Sequence, residues 1–136
     1  MTAVPAAGPA ARAPGNRRLS RRQRLRFSAQ FDEAYAGGRR YVGRRMVLWL
    51  RAAPDAALRL GVVTSRRIGP AVARNRARRR LREIFRLNRW RLTGSVDIVL
   101  VARTGCDEAP WMELTGEFIV LARRAGLIRD ADPGPT

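Results

Sequence analysis

The chain is 136 residues long, enough for one domain with tails, and carries 28 basic against 11 acidic residues for a net charge of +17, every basic residue being arginine. With no histidine and a single cysteine, Cys106, it excludes a Ser-His-Asp triad, a histidine or cysteine metal cluster and an internal disulfide. No apolar run approaches the roughly 20 residues that span a bilayer and no signal-like apolar stretch opens the chain, so the expectation is a soluble, cytoplasmic protein that meets a polyanion and no membrane.

Residues 1–16 are rich in Ala, Pro and Gly and read as a disordered tail, followed by a basic run from Arg17 to Arg26. Residues 17–127 read as the folded domain and 128–136 as a second, flexible tail. The spacing of Phe27, Phe31, Ala34 and Tyr35 predicts a short helix over Ser28–Ala36, with Ser28 as N-cap and Gly37-Gly38 as its end. Arg39, Arg40, Arg44 and Arg45 then make a basic loop. Met46–Ala52 and Leu58–Ser65 read as strands that can pair as an antiparallel hairpin across Pro54-Asp55. Trp49 shares its strand side with Val47 and Arg51, which suits a partly wet surface.

After the break at Ile68-Gly69-Pro70, a helix is predicted from Pro70 to Asn88. At 100° per residue Ala73, Ala77, Leu81, Ile84, Phe85 and Asn88 form one side. Asn75, Arg79, Arg82 and Arg86 form the other, with Arg74, Arg76, Arg78 and Arg80 on the flanks. Val96–Ala102 is a third strand, apolar apart from Asp97, and Pro110 opens a last helix that ends near Gly126. The order helix, two strands, helix, strand, helix gives a small α+β fold, an α/β sandwich around a mixed sheet.

The segment from Arg66 to Arg91 holds 11 arginines and one acid, Glu83. Arg74/Arg78, Arg76/Arg80, Arg78/Arg82 and Arg82/Arg86 are like-charge i,i+4 pairs that destabilise an isolated helix. Such a face is expected to have a polyanion docked on it, and arginine forks onto phosphate and stacks on bases. A catalytic role for the chain itself has little to stand on: the best acid pair is Glu113 and Glu117, which reads as solvated helix surface.

The run Leu60-Gly61-Val62-Val63-Thr64-Ser65-Arg66-Arg67-Ile68-Gly69, followed by Ala71-Val72-Ala73-Arg74-Asn75-Arg76, Arg78-Arg79, Leu81-Arg82-Glu83 and Phe85-Arg86, closely resembles the bacterial ribonuclease P protein family. Asp97–Arg103 resembles that family's following strand, and Phe31, Tyr35 and Val47-Leu48-Trp49 its N-terminal part. The resemblance implies a four-stranded sheet with three helices and a left-handed crossover through the basic helix. It implies that Arg66, Arg67, Arg74, Asn75, Arg76, Arg78, Arg79 and Arg82 bind the catalytic RNA. It also implies that Phe31, Tyr35, Trp49 and Ser65 line the cleft for the 5′ leader of precursor tRNA. The catalytic magnesium would be held mainly by the RNA, and the protein would be the accessory subunit of an endoribonuclease. The family's common lysines are arginines here, Pro70 stands at the start of the basic helix, and Trp49 replaces a smaller aromatic. Two other readings remain at this point: an RNA-binding protein of another kind, such as a ribosomal protein, and an autonomous metal-dependent nuclease. The sequence leaves the oligomeric state open.

Overall fold

A computed structural model describes residues 20–25 and 28–128. The N-terminal tail 1–16 and the last eight residues lie outside them, as do Arg26 and Phe27. Helix α1 spans Ser28–Gly37, strand β1 Arg40–Val42, β2 Met46–Ala52 and β3 Leu60–Val63. Helix α2 spans Ala71–Asn88, strand β4 Val96–Ala102 and helix α3 Trp111–Arg124. Among the described residues the sheet has four strands in the order β1-β2-β4-β3. β4 is antiparallel to β2 and parallel to β3, so the sheet is mixed and α2 is the crossover between two neighbouring parallel strands. The α+β architecture and the three helices agree with the expectation.

Two expectations are corrected. β2 and β3 do not form a hairpin, because β4 lies between them. Its residues Ile98, Val99 and Leu100 are fully buried, as befits the central strand of a sheet covered on both faces. The connection from β2 to β3 instead crosses the end of β4, with Leu58 in a left-handed conformation at φ 55°. The basic loop is also partly strand: Arg40–Val42 pairs antiparallel with Val47–Trp49 as the sheet edge.

One face of the sheet (Met46, Leu48, Leu50, Leu60, Ile98, Leu100, Ala102) meets Ala77, Leu81, Ile84 and Phe85 of α2 and Leu114, Phe118, Leu121 and Ala122 of α3. This is the main core, and it buries the stripe that the helical period picks out in α2. The opposite face carries α1. There Leu25, Ala34 and Val99 are buried, and Phe31, Trp49, Val63 and Val101 pack against them half-covered. The close approach of α1 depends on Gly61: a Cβ there would stand 2.5 Å from the Phe31 ring.

Glu117 is the third correction. It is not solvated surface; its Oε2 accepts the backbone N–H groups of Arg45 at 2.9 Å and Met46 at 3.0 Å. It thereby caps the turn between β1 and β2 from α3, close above Gly43, where any Cβ would collide with the carboxylate.

Candidate nucleic-acid interface

Two surfaces carry the residues singled out in the sequence. The first is the cleft between α1 and the sheet. Phe31 and Tyr35 are one helical turn apart on α1, and Trp49 rises from β2 opposite them. The Tyr35 and Trp49 rings meet edge to face at 5.0 Å and 77°, with the Arg40 guanidinium 5.7 Å from the Trp49 centroid. Tyr35 is 36 % exposed, whereas Phe31 is tucked over Gly61, so the outer part of this aromatic set is open to a ligand and the inner part is packed. Burial, and after it Asp32, pushes the Tyr35 phenol up, so it stays a neutral hydrogen-bond donor.

Arg51 corrects the picture of a wet strand side. Val47 and Trp49 are half-buried, but Arg51 is buried. Its Nη1 donates to Asp97 at 2.6 Å, its Nε to Glu33 at 2.7 Å and its Nη2 to Asp55 at 2.7 Å. Asp97, with no exposed surface, also accepts from Arg59 through Nε, Nη2 and the backbone N–H, and from the backbone N–H of Ala57. Burial alone would raise the Asp97 carboxyl, but the donors from Arg59, Ala57 and Arg51 hold it below the usual carboxylate range. On Arg51 burial works against the charge and is outweighed by Asp55, Glu33 and Asp97, which raise it. This network ties α1, through Glu33, to the end of the sheet and fixes the width of the cleft. The signal was a single Asp within an apolar strand.

The second surface is α2 with the turn before it. Ser65 caps a short 3₁₀ turn, Arg66–Ile68, by accepting the Arg67 N–H at 3.3 Å. It is exposed beside Arg66 and Arg67, just past the end of β3. Along α2 the arginines divide by what they touch. Arg74 donates to the Gly69 carbonyl at 3.0 Å, and Arg80 to the carbonyls of Cys106 and Ala109, so Arg80 clamps the loop before α3. Arg86 is bidentate on Glu83. Arg76 lies 3.9 Å from Asp107 at the mouth of a groove between the start of α2 and the Thr104–Glu108 loop. Arg78 donates to Thr64 Oγ1 at 2.6 Å and to Asn75 Oδ1 at 2.5 Å. Among the described residues the guanidinium groups of Arg66, Arg67 and Arg79 have no internal partner, and all three are exposed.

Arg82 was expected on the outer face and is instead half-buried beside Arg78 and Arg24. Burial first, and then those two neighbouring charges, lowers the Arg82 guanidinium. Arg24 belongs to a segment that runs parallel to β3 through a bridge to Leu60, and its buried Nε has no hydrogen-bond partner among the described residues. Three neighbouring cations and a donor without a partner among the described residues make this a place where a negative charge is favoured. The sequence signal for Arg24 was absent, since it stood within an undifferentiated arginine run.

Comparison with known proteins agrees with this geometry. The family model described as Ribonuclease P matches residues 19–126. The chain is 40% identical over 119 residues to the ribonuclease P protein component of Chloroflexus aurantiacus, covering 87% of this chain and 85% of that one. It is 39% identical over 124 residues to that of Thermus thermophilus, covering 91% and 70%. Among solved structures, the RNase P protein from Thermotoga maritima superposes with a TM-score of 0.66 at 28% identity, covering 74% of this chain and 96% of that one. The Staphylococcus aureus RNase P protein, 23% identical over 79% of this chain and 98% of that one, shares the fold with a TM-score of 0.70. With a match that runs through α1, the sheet, α2 and α3, the chain belongs to the ribonuclease P protein family.

Proposed function

We propose that this subunit holds the ribonuclease P RNA along α2 and the 5′ leader of precursor tRNA in the cleft under α1, and that the RNA makes the cut. The observation that carries this reading is the position of an arginine face almost without acids on one side of β3 and an aromatic cleft on the other. Phosphates suit Arg66, Arg67, Arg74, Arg76, Arg78, Arg79 and Arg82, with Asn75 orienting Arg78. Leader bases of varied sequence suit Tyr35 and Trp49, because every base offers a π-face. Phe31 supports the floor, and Ser65 shapes the turn that leads from cleft to helix.

Among the described residues no three His, Cys, Asp or Glu side chains stand close enough to hold a metal ion. Glu33, Asp55, Asp97 and Glu83 are engaged by arginines, and Glu117 by backbone N–H groups. We assign the catalytic magnesium mainly to the RNA and regard the protein alone as inactive. No helix among the described residues is long and apolar enough to cross a membrane, and a cytoplasmic location follows from the proposed substrate.

Reconstitution tests the reading. Cleavage of precursor tRNA by the cognate RNA at low magnesium should rise strongly when the protein is added, and the protein without RNA should cleave nothing. Stimulation by no more than an unrelated basic protein gives, or cleavage by protein alone, would overturn it. Trp49→Ala addresses the cleft. It should weaken holoenzyme binding of precursor tRNA by roughly tenfold, within the about 1–3 kcal/mol of one base stack, and leave mature tRNA within about twofold. Equal losses on both would assign Trp49 to packing alone.

A further inference from the structure

We propose that Trp90 is a stacking seat for an unpaired base of the RNA that docks on α2. The inference rests on the reading of α2 as the RNA face and adds to it a contact of a different kind, at the far end of the helix.

α2 ends in a 3₁₀ turn, Arg89–Arg91, and the indole in its middle is 69 % exposed. The turn itself is anchored. Asn88 before it is buried and donates to the Ile84 carbonyl at 2.8 Å. Leu92 after it is buried in the core. Arg89 reaches back to the Leu58 carbonyl at 3.3 Å and the Ala57 carbonyl at 3.4 Å. A large apolar ring is thus held out on a fixed base, with Leu87 exposed one turn earlier. An indole already exposed on an anchored turn suits stacking, since the backbone beneath it has little freedom left to lose on binding.

The surroundings select the occupant. Arg76, Arg79 and Arg86 point away from the buried stripe of α2, and Trp90 stands exposed in the 3₁₀ turn beyond them, about 20 Å along the helix direction from Arg76. Arg91 lies 6.0 Å from the Trp90 centroid, in position to take the phosphate next to a stacked base. From Arg86 to Arg91 there is no acid, and Glu83, the one acid of α2, is held by Arg86. A second copy of a chain with net charge +17 would meet strong repulsion here, whereas a nucleic acid meets none. Phosphate contacts alone let a basic helix slide along a duplex, because every step of the backbone looks alike. A ring that accepts only an unpaired base fixes the register.

The test measures affinity of the full chain for its cognate ribonuclease P RNA across a range of salt, for wild type, Trp90→Ala and Trp90→Phe. Trp90→Ala should lose roughly ten- to hundredfold in affinity with an unchanged salt slope, since stacking releases no counterions. Trp90→Phe should recover most of the loss, and thermal melting of the free variants should match wild type. Chemical probing should find an unpaired base that wild type protects and Trp90→Ala leaves reactive. Affinity of Trp90→Ala within about twofold of wild type would overturn the proposal, as would a fall in the salt slope. A drop in solution mass on substitution with RNA affinity intact would reassign the ring to self-association and also overturn it. Failure of this seat is separable from failure of the RNA-face reading: the latter requires that removing Arg66, Arg67 and Arg79 leave RNA affinity intact as well.

Discussion

Asp97→Asn should destabilise the protein by about 3–5 kcal/mol, the usual loss when one partner of a buried ion pair is removed. The substitution keeps the volume and changes only charge and hydrogen bonding. Asp97 receives five donors, from Arg51 Nη1, Arg59 Nε, Arg59 Nη2 and the backbone N–H groups of Ala57 and Arg59. An amide in its place points an N–H₂ at some of these donors and leaves the buried Arg51 charge to Glu33 and Asp55, both far more exposed. The carboxyl of Asp97 is held below its ordinary value in the folded state. Its contribution is therefore complete above the unfolded value of about 3.9 and is lost as pH falls through the lower folded value. Wild type should accordingly lose stability on acidification below about pH 4, and Asp97→Asn should lose much less over the same range. Urea melts followed by circular dichroism from pH 7 down to the acid limit measure both effects. A variant within about 1 kcal/mol of wild type at pH 7 would show that the network contributes geometry without net stability, an outcome known for some buried ion pairs.

The same network explains what was legible in the sequence and what was not. α2 was legible end to end, because Ala77, Leu81, Ile84 and Phe85 stand out at the helical period against a background of arginine. The two strands before it were legible as strands, but their pairing was not. Met46–Ala52 and Leu60–Val63 sit either side of a Pro54-Asp55 turn and look like a hairpin locally. What separates them is a residue far along the chain: Asp97 on β4 draws Arg51 from one neighbour and Arg59 from just before the other, and β4 occupies the space between. Strand pairing set at such separation leaves no local signal. The edge strand Arg40–Val42 was hidden for another reason, since three residues with one arginine cannot show an alternation. Glu117 followed the helical wheel to the surface of α3, but the turn between β1 and β2 brings two N–H groups to it. In the candidate site, the residue types on α2 were legible and their division of labour was not. Arg80 and Arg79 are adjacent in sequence, yet one is bound to carbonyls in the loop before α3 and the other is open to solvent.

That division makes the largest functional prediction a specific one. Arg66→Ala, Arg67→Ala and Arg79→Ala combined should weaken binding to the ribonuclease P RNA by about 100- to 500-fold at about 0.1 M salt. The estimate takes a loss of roughly 0.7–0.9 in the slope of log affinity against log salt for each phosphate contact removed. The three are chosen because among the described residues they hold no internal partner, so their removal breaks nothing in the free protein. It also relieves repulsion on a chain of net charge +17, and the free variant should melt no lower than wild type. Arg80→Ala provides the contrast. It removes the same charge from the same helix but also the clamp on Cys106 and Ala109, so it should lower the melting temperature while leaving most of the RNA affinity in place. If Arg80→Ala and the triple variant were to lose affinity with equal salt slopes, binding would depend on total charge rather than on the face that these arginines form. If the triple variant bound as wild type does, α2 would not be where the RNA lies.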